Sequence, residues 1–446
     1  MDSVENPDLK IDYKTDQTPP LALSILSGLS HVFLYPVAFS LPVILLNSVG
    51  VSVDDTIRFS QISLLAFGIA NIFMSLRQKS IGSGYLCPVT GCPSFYTASI
   101  IAAKAGGIAL ISGMLLLTGF FQSIISRILI RFRFLIAPEV MGVVVLVIGM
   151  DALTIAAPVF TGNINTEMRF NSGSFLVAVV TFLIMIVPEI RSSSIWKRYS
   201  VLIGVASGMA VSFIINLDNP LIDRPDNLSF FSVPPIGYFG LSFEWKLFPL
   251  FIIAGLASVI KSAACVVASR QVNGENTDDG KTEAIGGGML SIGLSNILAG
   301  AMGAMGISAS AGNVGLSLAN GVASRKVGFI IGAMLIGLSF SPAATGYLLD
   351  ISFPVAGACL LYVTSFMLVL AFRLLTAQTF DVRKTFILGI SISFGFCVNV
   401  IPELYGVTES SILADRVNMA TILAIILSIV FRIGLPNTNN TGEMKK

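Results

Sequence analysis

The chain has 446 residues, of which 54% are hydrophobic and only 12% are charged, and its mean hydropathy is +0.84. Soluble domains carry about 25% charged residues, so the composition excludes that class and indicates a protein built mainly from membrane helices. The formal net charge is +2, and the Lys and Arg residues are spread over predicted loops, so we expect no nucleic-acid partner. One histidine, without a metal-ligand cluster or a Ser/His/acid arrangement, leaves little for catalysis, so we expect neither an enzyme nor a cofactor.

Apolar stretches long enough to cross a bilayer recur along the whole chain. Because a membrane span needs about 20 mostly apolar residues, the sequence predicts an all-α polytopic membrane protein with about fourteen spans. In chain order the predicted spans cover 21–47, 59–76, 85–103, 106–129, 134–156, 173–188, 199–217, 247–270, 285–303, 306–322, 327–348, 353–376, 385–401 and 417–434.

The loop charges predict the orientation of these spans. Every even-numbered gap between spans carries Lys or Arg, and both chain ends are basic, whereas the odd-numbered gaps are richer in Asp and Glu. By the positive-inside rule the even gaps and both termini are cytoplasmic, in a multi-pass protein of the cell membrane. The first 20 residues lack the apolar region of a signal peptide, so 1–20 and 436–446 are predicted cytoplasmic tails.

The first and third predicted spans carry polar residues with functional potential. His31, the only histidine, could donate a hydrogen bond to a substrate or relay a proton, or it could be a buried, hydrogen-bonded core residue. In the third span Pro93 cannot donate a backbone hydrogen bond, which predicts a break in the helix. Beside this break Ser94 can bind freed backbone or a ligand, and Phe95 and Tyr96 offer flat faces to a planar substrate.

Charged residues occur inside the fifth and eighth predicted spans. An ionisable group at membrane depth is a functional hypothesis by default. Lys261 lies in mid-span, so we expect it to face a cavity and pair with an anionic or carbonyl-bearing substrate; the alternative is a structural pairing with a helix end or with Asp151. For Glu139 and Asp151 in the fifth span, gating or structural roles are favoured over substrate contact.

The tenth predicted span is interrupted by a run of small and hydroxyl residues, 306–315, that includes Ser308 and Ser310. Non-helical backbone at membrane depth survives only where it is buried in protein or lines a cavity, and in transporters such broken spans carry the substrate. A half-helix that restarts after the break points free N–H groups inward, which favours negative charge or carbonyl oxygens. The sequence therefore predicts short strand-like breaks in spans 3 and 10 that flank a substrate.

The two halves of the chain echo each other weakly. Pro138 to Gly142 open the fifth span, and Phe353 to Gly357 open the twelfth, seven spans later; the broken third and tenth spans have the same separation. Seven is odd, so the second half would enter the membrane from the opposite side, as an inverted repeat. Chance is the alternative, because Pro and Gly are common in spans. The five cysteines have no CxxC spacing and are interpreted as packing residues rather than a metal site or disulfides.

Several local motifs resemble those of the nucleobase–ascorbate transporters, the family of uracil and xanthine permeases. Gly28-Leu29-Ser30-His31-Val32 is similar to that family's Gly-Leu-Gln-His-Val, and Gly91 to Phe95 resemble its third-span strand. The run Gly312 to Gly321 aligns with the family signature, in which Gly312 and Asn313 occupy the first two positions.

The resemblance implies two inverted seven-span repeats that divide into a core and a gate, with the core carrying substrate past the gate as an elevator. Spans 1–4 and 8–11 would form the core, and spans 5–7 and 12–14 the gate. It also implies a possible homodimer through the gates, and substrate contacts from Gly312 and Asn313. The corresponding boundaries are 21–129 and 245–350 for the core and 130–220 and 351–435 for the gate.

Two departures from the family pattern bear on the substrate. The family commonly places a carboxylate in the eighth span, but here no acid occurs from Gly255 to Gly274, and Val259 or Lys261 aligns with that position. The first signature residue, often Glu or Gln, is Gly312. A site rejects ligands that leave its buried polar groups unpaired, so a lysine should prefer an acceptor-rich or anionic ligand to neutral uracil.

The leading hypothesis is a secondary transporter in the lipid bilayer for a nucleobase-like or planar anionic solute such as xanthine, urate or uracil. Two alternatives remain: an inorganic or organic anion transporter on the same fold, and a channel-like or sensory membrane protein. Proton symport would need His31 or Lys261 to titrate, and sodium coupling or exchange is the alternative.

Overall fold

The structure of the protein, a computed structural model, describes residues 11–35, 39, 42–43, 46, 49–78, 80–131, 137–161, 171–190, 199–215, 217, 227–275, 280–376, 380–400 and 416–434. The predicted tail at 436–446 lies outside these residues. In the first half the elements are α1 (Leu21–Val32), α2 (Val53–Ser75), β1 (Val89–Gly91), α3 (Tyr96–Arg131), α4 (Pro138–Phe160), α5 (Ser172–Ile190) and α6 (Ser200–Ile214). In the second half they are α7 (Phe248–Val272), α8 (Lys281–Met302), β2 (Ile307–Ala309), α9 (Ala311–Asn320), α10 (Arg325–Ser339), α11 (Pro342–Leu349), α12 (Phe353–Thr376), α13 (Val382–Val400) and α14 (Arg416–Gly434).

The predicted class, an all-α polytopic membrane protein with strand-like breaks in the third and tenth spans, is confirmed. Within the described ranges, six helices are long and apolar enough to cross a membrane, or seven if α10 and α11 form one bent span. Four shorter helices, which include α1 and α6, are also apolar. The count of about fourteen spans and the repeat remain predictions.

Two breaks in the helices differ from the predicted span boundaries. The third and fourth predicted spans are joined in α3 without a loop, and the junction is a kink at Gly106 and Gly107, where Gly107 has a φ of 69°. That positive φ favours glycine, which carries no Cβ. The eleventh predicted span, 327–348, is divided into α10 and α11, which bend by 106°. Pro342 at the start of α11 explains the division, because proline suits a helix start but not a helix interior.

Close helix pairs build the interior. Helix α8 packs along α3, α10 along α2, and α12 along α4. Glycines allow the approach of α3 and α8: a Cβ at Gly300 would lie 2.3 Å from the backbone nitrogen of Leu116, and one at Gly119 would lie 2.4 Å from that of Ile297. Since the lipid is as apolar as the side chains, such small residues and the contacts that they permit hold membrane helices together.

Residues 11–18, which precede α1, are fastened to the ends of several helices. Tyr13 pairs with Val322 in an isolated bridge, and the N–H of Thr15 donates to the side chain of Asn273 at 2.8 Å. Asp16 contacts Arg77 and Arg325, each at 2.9 Å. Part of the predicted tail 1–20 is therefore packed against the linker between α9 and α10 and the end of α7.

Candidate functional site

The two strands pair with each other in the middle of the molecule. Strand β1 runs antiparallel to β2, with Val89 opposite Ala309, Thr90 opposite Ser308 and Gly91 opposite Ile307. Both strands are buried along their length. Pairing joins two distant parts of the chain and satisfies backbone groups that would otherwise be unpaired at membrane depth.

A helix begins immediately after each strand. A 3-10 turn, Pro93–Phe95, follows β1 and continues into α3, while α9 starts at Ala311 after β2. The Ser310 hydroxyl caps α9 by accepting the N–H of Asn313 at 3.3 Å. Two helix N-termini thus lie beside the paired strands, and each carries partial positive charge.

A cavity of about 90 Å³ lies against the strands and these N-termini. Five of the eight residues predicted to bind substrate line it: Phe95, Tyr96, Lys261, Ser310 and Asn313. Thr90 of β1 and Val363 and Thr364 of α12 complete the lining near them. Aromatic faces, one ammonium group and a few hydroxyl and amide groups converge in one place, which suits a planar ligand with several acceptors.

Lys261 is held in the cavity wall by a neutral partner. Its side chain is 2% exposed, and Nζ donates to the Ser308 hydroxyl at 3.0 Å. Among the described residues no carboxylate forms an ion pair with it. Asp151, the acid that the sequence offered as a structural partner, lies 3.6 Å from Arg416. A buried ammonium group without a counter-charge is costly, so this position favours an anionic or acceptor-rich ligand.

The other three predicted site residues stand behind the cavity wall. His31 Nδ1 lies 2.8 Å from Asn313 Oδ1, and because an amide oxygen only accepts, the histidine donates. His31 Nε2 and the Ser94 hydroxyl are buried and have no hydrogen-bond partner among the described residues. Gly312 faces α12 instead: a Cβ there would lie 2.5 Å from Cγ1 of Val363. These positions make His31 a support for Asn313 and Gly312 a point of close approach.

Two buried asparagines that the sequence analysis missed bind the strands. Asn71 of α2 contacts the backbone of Val89, and Asn296 of α8 contacts that of Ile307. Nothing in their local sequence distinguishes them from other polar residues of the same helices, such as Gln61 in α2 and Ser295 in α8.

Apolar helices around two broken spans, with a mainly apolar cavity that holds a few polar groups at the break, define a membrane transporter rather than an enzyme. Solved structures share this fold. The transmembrane domain of the cyanobacterial bicarbonate transporter BicA matches with a TM-score of 0.55 at 13% identity and covers 93% of this chain and 99% of that one. Murine Slc26a9, an anion transporter, matches with a TM-score of 0.58 at 13% identity and covers 96% and 70%.

The chain belongs to the permease family whose model describes xanthine/uracil permeases, which matches residues 23–404. Xanthine permease XanP of Escherichia coli strain K12 is 26% identical over 439 residues, 94% of each chain. The putative purine permease CPE0397 of Clostridium perfringens is 24% identical and covers 96% of this chain and 95% of its own. Nucleobase transporter PlUacP of Paenibacillus larvae is 25% identical and covers 91% and 94%. The recognition from sequence motifs is confirmed.

Proposed function

We propose that this protein is a secondary transporter for a nucleobase, and that it prefers acceptor-rich or anionic purines such as xanthine and urate to neutral uracil. The observation that carries the proposal is Lys261, a buried cation that lines the same cavity as Phe95 and Tyr96 and has no carboxylate partner among the described residues. The names of the relatives, which are xanthine and purine permeases, support the nucleobase class.

The site suggests roles for six of the eight predicted site residues. Phe95 and Tyr96 stack on the purine ring, and Lys261 binds a carbonyl oxygen or a deprotonated ring nitrogen. Ser310 and Asn313, at the start of α9, bind a second polar edge. His31 orients Asn313 through the 2.8 Å contact.

An elevator movement would take place where α9 meets α12. Here Gly312 and Gly315 face Val363 and Phe366: a Cβ at Gly315 would lie 2.4 Å from Cδ1 of Phe366. Under this proposal 21–129 and 245–350 form the moving core, and 130–220 and 351–435 form the gate. An inverted repeat relates the first half of the chain to the second. Two copies of the protein form a dimer through their gates.

The lining of the cavity also suggests toward which side of the membrane it lies. Besides the site residues, it is lined by Phe59 near the start of α2 and by Ile111 shortly after the kink in α3. The loop charges place these helix ends outside the cell, with both termini in the cytoplasm. The cavity would then lie toward the outer side of the cell membrane.

The first test is uptake of radiolabelled xanthine by cells that express the protein, with unlabelled uracil, urate, ascorbate, benzoate and sulfate as competitors. Competition by purines, together with loss of uptake in Lys261→Ala, is the expected result. Absence of xanthine uptake by a wild-type protein present in the membrane would overturn the purine assignment. Uptake of labelled sulfate or benzoate would then favour the second candidate, an anion transporter, which the buried charge of Lys261 in the cavity wall also fits.

Coupling to protons requires a group that gains and loses a proton during transport, and His31 is the candidate because it contacts Asn313 in the cavity wall. We expect a proton ionophore to abolish the accumulation of xanthine and His31→Gln to uncouple it. Accumulation that resists the ionophore but needs sodium would replace proton coupling by sodium coupling.

A further inference from the structure

Strand β1 is held by one asparagine and one hydroxyl group. The N–H of Val89 donates to Asn71 Oδ1 at 3.0 Å, and its carbonyl oxygen accepts from Asn71 Nδ2 at 3.0 Å. The same carbonyl accepts from the Tyr35 hydroxyl at 2.6 Å. Asn71 is 1% exposed, so all of these bonds are shielded from water and lipid.

Strand β2 is held in the same way from the other half of the chain. The N–H of Ile307 donates to Asn296 Oδ1 at 2.7 Å, and its carbonyl oxygen accepts from Asn296 Nδ2 at 3.0 Å. The same carbonyl accepts from the Ser258 hydroxyl at 3.0 Å. Asn296 is fully buried.

The two arrangements correspond element by element. Asn71 lies in the second predicted span and Asn296 in the ninth, while Tyr35 lies in the first and Ser258 in the eighth, each pair seven spans apart. In each half one amide brackets both backbone groups of a single strand residue, and one hydroxyl adds a bond to its carbonyl. Chance similarity of Gly and Pro positions does not produce a shared bonding pattern of this kind.

We propose that Asn71 and Asn296 are paired positioning residues, which fix the register of the two strands and thereby set the geometry of the substrate site without touching the substrate. Neither asparagine lines the cavity. Ser308, the middle residue of β2, accepts a hydrogen bond from Lys261, and Phe95 and Tyr96 lie just after β1, at the end of the 3-10 turn and the start of α3. A slip between the strands would therefore move the ammonium group relative to the aromatic rings.

The first experiment measures the Kd of xanthine with purified protein. It rests on the proposed function only because xanthine is the ligand. Asn71→Ala and Asn296→Ala each remove two bonds to one residue, so each should raise the Kd at least about ten-fold. The milder variants Tyr35→Phe and Ser258→Ala each remove one bond to a strand carbonyl and should raise the Kd about five-fold. The double asparagine variant should fall short of the product of the single effects, because both open the same pair of strands.

The control is Gln61→Ala. Gln61 is a buried amide of the same helix as Asn71 and donates to the carbonyl of Ser339 at 2.9 Å, away from the strands. It should leave the Kd within about two-fold. An unchanged Kd in Tyr35→Phe and Ser258→Ala, or an equal rise in Gln61→Ala, would overturn the proposal.

Amide hydrogen exchange without ligand gives a second readout. Because the strands pair, Asn71→Ala should accelerate exchange in 306–310 as well as in 88–92, and Tyr35→Phe should do so to a smaller extent. Acceleration confined to 88–92 would show a purely local role and contradict the proposal. Wild-type protein that binds no xanthine would overturn the proposed function, while the exchange experiment would still test the asparagines.

Discussion

Under the proposed function, a single side chain, Lys261, sets which ligands suit this cavity. Its ammonium group donates to Ser308 and has further hydrogens to offer, so a ligand with negative charge or several acceptors completes its shell. A hydrogen bond that involves a charged group contributes about 1.5–3 kcal/mol. Removing the charge should therefore alter selectivity as well as affinity.

We predict that Lys261→Met weakens binding of urate at least about ten-fold but weakens binding of neutral uracil much less. Lys261→Arg, which keeps the charge in a larger group, should recover part of the urate affinity. Direct binding of labelled urate and of labelled uracil to the purified variants measures both, and Lys104→Met, which removes an exposed lysine of α3, is the matched control. Equal losses for urate and uracil would show that the lysine has only a structural role.

The cavity residues were the easiest to predict from sequence, and the two asparagines that hold the strands, Asn71 and Asn296, were the hardest. Phe95, Tyr96, Lys261, Ser310 and Asn313 stand out because aromatic, charged and hydroxyl groups cluster beside breaks in apolar spans. Asn71 lies 18 residues before the strand residue that it binds, and Asn296 lies 11 before its own. In both cases the helix ends between the asparagine and the strand, so helical periodicity cannot connect the two residues and only the folded chain reveals these contacts.

Helix α9, part of the proposed core, packs against α12, part of the proposed gate, and α9 contributes glycines to this contact. Gly315 allows Phe366 to lie against the α9 backbone, and an added methyl group would collide with the ring at 2.4 Å. If α9 must move past α12, this close fit matters more for movement than for binding.

We predict that Gly315→Ala lowers the rate of xanthine transport at least about ten-fold while its equilibrium Kd changes less than about three-fold. Gly389→Ala in α13, where a Cβ meets nothing within 4 Å, should change neither quantity. Transport into proteoliposomes and binding to purified protein separate the two effects. A large increase in the xanthine Kd with an unchanged maximal transport rate would place Gly315 in the binding site instead.

Breaks between elements were predicted unevenly, for physical reasons. The strands in the third and tenth spans were expected because Gly, Pro and Ser interrupt apolar runs, and they are present. The 106° bend between α10 and α11 was not, although Pro342 could have indicated it. A hydropathy pattern alone does not detect such a bend, because the residues on both sides are apolar.

At the scale of the whole protein, the N-terminal segment 11–18 contacts helix ends that are remote in sequence. The backbone N–H of buried Thr15 depends on the Asn273 side chain, whereas Asp16 makes its ion pairs largely in solvent. Leaving a buried donor unsatisfied costs about 1–3 kcal/mol, whereas an exposed ion pair contributes about 0–1 kcal/mol.

We therefore predict that Asn273→Ala lowers the midpoint of thermal unfolding of the purified protein clearly more than Asp16→Ala does. Raising the salt concentration should reduce the difference between wild type and Asp16→Ala, because salt screens exposed charges. The opposite order of the two midpoints would mean that the segment is held by charge rather than by its backbone bonds.

The pairing of β1 with β2 also constrains how the chain is made. At about 5–20 residues per second, a ribosome completes β1 roughly ten to forty seconds before β2 exists. During that interval the backbone of β1 lacks its partner strand, which is costly in an apolar environment. Asn71 precedes β1 in the chain and Asn296 precedes β2, so each strand finds its own asparagine already in place when it enters the membrane.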